Sequence, residues 1–542
     1  MTQPEELKSD APLKWSAGRG VDLWAMFQAC ASGDLEAVRQ LLETDPALAR
    51  SHWHYRKPIY FAVRENRLAV AALLLERDPD PTGLAFNGGL LEIARDRGLA
   101  EMERLLEAKL AAIHGASQAG EPAAAAIRGR DLAALRRLLD TSPELLHAGD
   151  PRSCQPIHWA AMTRQLDFID ELLGRGADIN ARRHDGGRPI HLANGDYHYR
   201  GWRDVPKDWP TSPGEVYAHL VARGATVDLG MACATGDIRR ARELLDQDPG
   251  LANRLSDYNS GYIGGGAPVK NAAARGHLEI VRLLLGRGAD PNLPEEGIAP
   301  DGHALYAAAA NGHHEVAKLL LEHGAHPNAE VESSADTLSR AISNGDQKMV
   351  DLLCSHGAAR GVHLLAYHND LRTAAAMFAA NPALADDPGA LANAAGEGHG
   401  DFVRLLLRLQ PDLPRRVTFP GWSVGAKTPE LNELLFRHGL NPSGPDWLGI
   451  TPLHHLARTG DLEKAAIFLN HGADLEARDE DICSTPLGWA AKFGQKPMVE
   501  LLLERGAKPS LAGGPPWATP LAWATRRGHS DIAELLRRHG AE

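Results

Sequence analysis

Apolar residues recur at helical spacing in pairs of short runs along most of the chain, each pair broken by a glycine or a capping residue. The stretch Asp446–Arg478 shows the pattern most completely. Thr451 is placed to cap a helix, and Pro452 sits in its first turn, where a missing N–H costs nothing. Leu453, Leu456 and Ala457 form an apolar stripe. Gly460 ends this helix in a left-handed turn and Asp461 caps the next. Leu462, Ala465, Ala466 and Leu469 predict the buried face of the second helix. Gly472 ends that helix, and Ala473–Arg478 leads outward as a loop. Neither helix is long enough to be stable alone, so the unit needs a neighbour.

The rest of the chain supplies neighbours. The pattern begins near Asp22 and reopens at Pro58, Pro156 and Pro189, the last two 33 residues apart. Pro452, Pro486 and Pro520 follow one another at 34-residue intervals. A second flavour of the unit closes on Pro-x-Leu, at Pro46, Pro143, Pro249 and Pro382. There proline halts the helix and the leucine is expected to fold back onto the stack. Residues 88–110 and 121–146 match more poorly. The sixth unit, opened by Arg188–Ala193, is interrupted: some seventeen residues, 196–212, replace the usual two- or three-residue connection, which is long for a loop inside a compact unit. Its second helix starts with Ser212 and Glu215 as a capping box.

Two helices per unit, a 33–34-residue period, a Thr-Pro-Leu-His-x-x-Ala opening and a Gly-Ala-Asp-x-Asn ending resemble the ankyrin repeat. Those residues stand in Thr451–Ala457 with Gly472–Asp474, in Gln155–Ala160 with Gly176–Asn180, and in Arg188–Ala193. Ala267–Ala272 departs at the histidine position, which is Lys270. The resemblance covers nearly everything from Asp22 to Glu542 and extends, more loosely, to long bacterial ankyrin proteins. It implies an all-α ankyrin-repeat solenoid of about sixteen helix-turn-helix units, some degenerate. First helices would line a concave side and the ending loops would project as fingers. The expected division is a flexible leader (1–20), N-terminal repeats (21–228) carrying the insert (196–212), central repeats with long finger loops (229–361), degenerate repeats acting as a hinge (362–447), and a regular C-terminal block (448–542).

Composition narrows the function. Hydrophobic residues make up 44% of the 542 and charged residues 24%, as in ordinary soluble proteins. The formal net charge of −12 argues against a nucleic-acid binder driven by phosphate contacts. Cys30, Cys154, Cys233, Cys354 and Cys483 are scattered and odd in number, which fits small apolar residues in a reducing compartment better than disulfides or a zinc site. No apolar run reaches the roughly 20 residues that span a bilayer, and the first residues lack the apolar core of a secretory signal. The expectation is a cytoplasmic monomer with a protein partner, no nucleic acid and no membrane.

Candidate chemistry is sparse. His158, His191 and His454 recur at the motif position and are expected to hydrogen-bond between units rather than bind metal. Ser260–Gly266 is Gly-rich but lacks the Gly-Lys-Ser/Thr of a phosphate loop. Glu295, Glu296, Asp301 and His303 lack the spacing of a calcium loop. The insert is the strongest candidate. It gathers Tyr197, Tyr199, Trp202 and Trp209 with Arg203, and aromatics and arginine are the residues enriched at binding hot spots. The competing reading is that these aromatics pack back on adjacent helices. Tyr258 and Tyr262, in one long finger, are further partner-binding candidates. The resemblance implies no shared active site, so catalytic, cofactor and metal residues are expected to be absent. The function expected is a non-catalytic protein–protein interaction scaffold, using the concave face, the fingers and the insert. The alternatives are a secreted effector acting on host proteins, or a ligand-binding or enzymatic pocket beside the insert.

Overall fold

A computed structural model of the chain describes residues 1–541 except 15, 78–88, 115–117, 184, 197–198, 259–260, 294–302, 330–335 and 420–423, and leaves out the side chains of residues 110, 113, 114 and 118. The acidic loop at 295–301 lies outside the described residues. The described residues form 31 α-helices, short 3-10 turns and no strands, arranged as a helical repeat solenoid. Contacts divide the chain into two compact units: residues 10–95 with 99–359, and residues 1–9, 96–98 and 360–542.

The opening unit forms as its residues dictate. Pro452–Thr459 and Leu462–Asn470 are helices. The Thr451 hydroxyl and the ring of His454 meet at 2.8 Å, closing the first turn. Gly460 takes φ +76°, a left-handed value that glycine adopts without strain. Asp461 then accepts the Lys464 N–H at 3.1 Å. The buried face of the second helix is one residue out of step with the expected stripe. Ala465 and Phe468 are fully buried, whereas Leu462 is exposed. Phe468 is claimed by Phe436 of the preceding unit, ring centroids 5.0 Å apart.

Adjacent units are tied at their loops. Asn253 donates to Gly288 O and accepts from Asp290 N at 2.7 Å each. Asn292 repeats this with Gly324 and His326, and Asn328 with Gly357 and Ala359. The Pro-x-Leu endings are 3-10 turns, but the leucine is not the constant anchor. Leu48 is buried while Leu384 is exposed; the next residue, Ala49, Leu146, Ala252 or Ala385, is buried in every case.

Among the described residues two units show no first α-helix. In the sixth, only the 3-10 turn Pro189–His191 forms where a helix was expected. In the second, residues 417–428 contain no helix among those described, and Pro429–Arg437 follows directly as a second helix. Asn432 holds this segment by exchanging two hydrogen bonds with the Ala426 backbone, at 2.8 and 3.0 Å. The segment expected as a flexible leader contributes a 3-10 turn, Glu6–Lys8. Its Leu7 is fully buried, and the Thr2 N–H donates to Trp447 O at 3.0 Å.

Coupling between neighbours makes a repeat array as cooperative as its weakest interface. Amides of Val362–Trp447 are therefore expected to exchange faster than those of the C-terminal helices from Pro452 onward. Equal protection in a hydrogen-exchange experiment would show that the departure from the repeat in this segment does not soften the stack.

Candidate functional site

The insert is built on a buried ionic root. Gly195, at φ +85°, turns the chain so tightly that a Cβ would lie 2.0 Å from Tyr199 O. Asp196 is thereby driven inward to 1% exposure. It accepts the Tyr199 N–H at 2.6 Å, an Arg183 N–H at 2.6 Å and an Arg152 N–H at 3.3 Å. Burial alone would raise its carboxyl, but Arg183 and then Arg152 overcome that and hold it down at about 2. Arg183, itself buried, also faces Asp185 at 3.3 Å. This root is why the sixth unit has no first helix: the chain leaves the helical path to bury a carboxylate.

Trp159 of the preceding unit forms the floor. Its indole N–H donates to buried Asp150 at 2.9 Å, and the guanidinium carbons of Arg128 and Arg152 lie 4.6 and 5.0 Å from its centroid. Tyr199 meets it edge-on, centroids 5.2 Å apart. The chain then turns outward through the helix Gly201–Asp204. Trp202, 72% exposed, stands on that turn. Arg203 is exposed beside it, paired with Asp204 at 3.0 Å. The returning chain brings Trp209 down, where its indole N–H donates to Arg164 O at 2.9 Å and Arg130 covers its ring at 3.7 Å. Ser212 and Glu215 close the insert with the expected reciprocal capping box.

The insert candidates thus divide. Tyr197 lies outside the described residues. Trp202 and Arg203 face solvent, while Tyr199 and Trp209 are half-buried and pack back. The finger tyrosines are used internally. Tyr258 is buried, stacks on His191 at 3.8 Å and donates to Asp228 at 3.3 Å, so it presents no surface to a partner. Tyr262, partly buried, donates to Asp185. Both hydroxyls are pushed up, chiefly by burial and then, for Tyr258, by Asp228.

The motif histidines are structural. His158 bonds to Ala181 O at 2.9 Å and His454 to Ser484 O at 3.3 Å, each reaching past its own helices. Burial lowers both to about 3, so they stay neutral. His191 differs: its ring stacks on Tyr258, and Nε2 faces Asp228 at 3.6 Å. Sequence reasoning missed Arg130 and Arg164. Each stands in the turn between its unit's two helices, where the best-matching unit has Gly460, and each takes a left-handed φ, +58° and +56°. An arginine in place of the expected glycine was the available signal.

Ankyrin-repeat family models match residues 269–362 and 421–512 (a three-copy model), 157–199 (a many-copy model) and 518–542 (a single repeat). The chain is an ankyrin-repeat protein. The ankyrin array is similar to three curated plant proteins. "Probable E3 ubiquitin-protein ligase XBOS31" of Oryza sativa subsp. japonica is 39% identical over 67 residues, 12% of this chain and 15% of that protein. "Serine/threonine-protein kinase VIK" of Arabidopsis thaliana is 38% identical over 65 residues, again 12% and 15%. "Probable E3 ubiquitin-protein ligase XBOS33" of Oryza sativa subsp. japonica is 28% identical over 212 residues, 32% and 40%. The chain therefore spans between 15% and 40% of the length of these relatives. The many-copy model ends at residue 199, within the insert.

Depressed from 3.8, the Asp196 carboxyl adds stability that is complete above its unfolded value and is lost as pH falls through about 2. Asp196→Asn in this ankyrin array is expected to cost about 2 kcal/mol or more near neutral pH. The difference from wild type should narrow as the solution is acidified below 3.8. Denaturant unfolding at several pH values checks this, and a pH-independent difference would contradict it.

Proposed function

We propose that this ankyrin array is a non-catalytic interaction scaffold for a protein partner, and that the insert at 196–212 supplies its distinguishing contact. The observation that carries this is Trp202: a tryptophan 72% exposed, on a turn rooted in a buried ion-pair network. An exposed tryptophan on a mobile loop would lose its ordering entropy on binding; one on a fixed turn is already organised. Aromatics and arginines presented this way are the usual anchors of an interface. The packing and binding readings of the insert both apply, to different residues. Tyr199 and Trp209 hold it, while Trp202 and Arg203 face outward.

The ligase and kinase activities in the relatives' names are not part of this proposal, because the shared segments are short repeat stretches. The net charge of −12 disfavours nucleic acid as the partner. Among the described residues no helix is long and apolar enough to cross a membrane. The five cysteines are free, and Cys30, Cys154 and Cys233 are buried with thiols pushed up by burial. A reducing, cytoplasmic setting suits them.

Single substitutions separate the two roles. Trp202→Ala is expected to leave the melting temperature and helical circular dichroism unchanged, because an exposed side chain away from caps and core moves stability by under about 0.5 kcal/mol. It should reduce recovery of at least one captured protein about tenfold, read by quantitative mass spectrometry of a pull-down. Trp209→Ala should instead lower the melting temperature, losing about 1–2 kcal/mol with its indole hydrogen bond and arginine stack. If Trp202→Ala captures the same proteins in the same yield, the insert is not the contact.

A further inference from the structure

We propose that Arg130 and Arg164, beside the insert, form a binding site for a carboxylate on an acidic peptide segment of a protein partner. This rests on the protein-binding reading above and names the chemistry the partner presents.

The two arginines stand at equivalent places in consecutive units, each in the turn between a first and a second helix. Most other units put glycine there with a left-handed φ, such as Gly33 at +85°, Gly236 at +81° and Gly460 at +76°, and two put asparagine, which tolerates that region, Asn66 at +55° and Asn369 at +57°. Arg130 and Arg164 adopt +58° and +56° in spite of their side chains. A non-glycine residue held this way costs on the order of 1 kcal/mol, and such strain collects at functional sites. Here it occurs twice in succession, against the insert.

Both side chains are half-buried and held by neutral groups. Arg130 donates to Thr163 O at 3.2 Å and lies flat on the Trp209 ring. Arg164 donates from Nε to Ala193 O at 3.0 Å. Neither pairs with a carboxylate among the described residues. Their neighbours do: Arg128 with Glu121, Arg203 with Asp204, and Arg152 and Arg183 with Asp196. Burial without a counter-charge lowers the proton affinity of both groups, yet a guanidinium stays charged. A half-desolvated cation without an anion is a cost that an anionic ligand relieves.

The surroundings suit a carboxylate. Arg130, Arg128 and Arg164 all bear electrostatically on the Tyr199 side chain, opposed there by Asp204, so positive charge outweighs negative around the phenol. A planar carboxylate matches the fork of a guanidinium in a way that a point charge does not. Gly201, the residue before Trp202, sits against Arg164: a Cβ there would lie 3.0 Å from its terminal nitrogen. The backbone that carries Trp202 thus runs directly past Arg164. The matching segment carries Asp or Glu next to an apolar side chain. A long polyanion would meet the −12 field of the whole chain, which a single acidic residue largely escapes.

The test pans a phage-displayed random heptapeptide library on the full-length chain. Recovered peptides are synthesised with each Asp or Glu kept or replaced by its amide, and binding is measured by fluorescence anisotropy. The proteins are wild type, Arg164→Gly, the double variant Arg130→Gly with Arg164→Gly, and Trp202→Ala. Arg164→Gly installs the residue most other units carry at this place and should melt near or above the wild-type temperature, whereas the double variant also loses the Arg130–Trp209 stack and should melt somewhat lower while keeping its helical circular dichroism. Arg164→Gly also keeps the Arg130–Trp209 stack. We expect recovered peptides to carry an acidic residue beside an apolar one. The amide should bind about tenfold or more weakly to wild type, as loss of a charged hydrogen-bond pair implies. That preference should shrink in Arg164→Gly and vanish in the double variant. An acid preference that persists in the double variant, or recovered peptides without acidic residues, would overturn the site. If such peptides still lose affinity for Trp202→Ala, the carboxylate site falls while the insert stands as the contact. If binding ignores both Trp202 and the arginines, both proposals fall. A ten-nucleotide oligothymidylate that displaces the peptides from wild type but not from the double variant would assign the pair to nucleic acid and overturn the peptide reading.

Discussion

Everything in this molecule depends on one constraint: a unit of two short helices cannot bury its own apolar face. Helices such as Pro452–Thr459 and Leu462–Asn470 persist because Leu453, Leu456, Ala465 and Phe468 are covered by the units before and after them. Burial is non-directional, so it does not set register. The asparagines do. Asn253, Asn292 and Asn328 each bridge to the loop of the next unit with both ends of the amide, satisfying backbone groups that the turn leaves open. Apolar area supplies the drive, and these amides specify the stacking.

The same elements give opposite electrostatics at two places. In the compact unit that contains residues 99–359, Asp196 lies between Arg183 and Arg152 and is held near 2. In the unit that contains residues 360–542, Asp479 is also buried and accepts the Trp489 indole N–H at 2.8 Å, much as Asp150 accepts that of Trp159. Among the described residues no ion pair to an arginine is seen for Asp479, and burial followed by the like charge of Asp481 raises it to about 6. An indole–carboxylate hydrogen bond at the root of a loop thus occurs twice among the described residues, and the two buried carboxylates Asp196 and Asp479 differ in charge state because of what stands around each. Arginine beside the insert converts a packing feature into a fixed ionic one.

The fold was legible because its signal is periodic. Proline at the first helical position, glycine in the intervening turn and asparagine in the exit loop act locally, and they recur in phase over hundreds of residues. Departures from the period were visible in the sequence but could not be resolved into contacts. The insert's aromatics could be found by composition. Which of them pack is decided by Gly195, Asp196 and Arg183, residues whose meaning depends on a turn that no local pattern encodes. Tyr258 was misplaced for a similar reason: a Gly-rich finger looks exposed until His191 and Asp228 come to meet it. Arg130 and Arg164 passed unremarked because a single substituted turn residue is ordinary, and only the fold brings the two turns to one side of Trp209 and Tyr199.

Asn180 shows how the chain accommodates its insert. It accepts the Thr226 N–H at 2.9 Å across 46 positions, where Asn253 and Asn292 span 37 and 34. The inter-loop connection closes as usual, and the added residues are looped out at the opposite turn without shifting the phase of the units that follow. The array therefore behaves as a mounting rail. What is hung on the turn at 196–212 can change in length and chemistry while the rail keeps its spacing, so new recognition can arise there by insertion alone, with the repeats on either side conserving their own bonds.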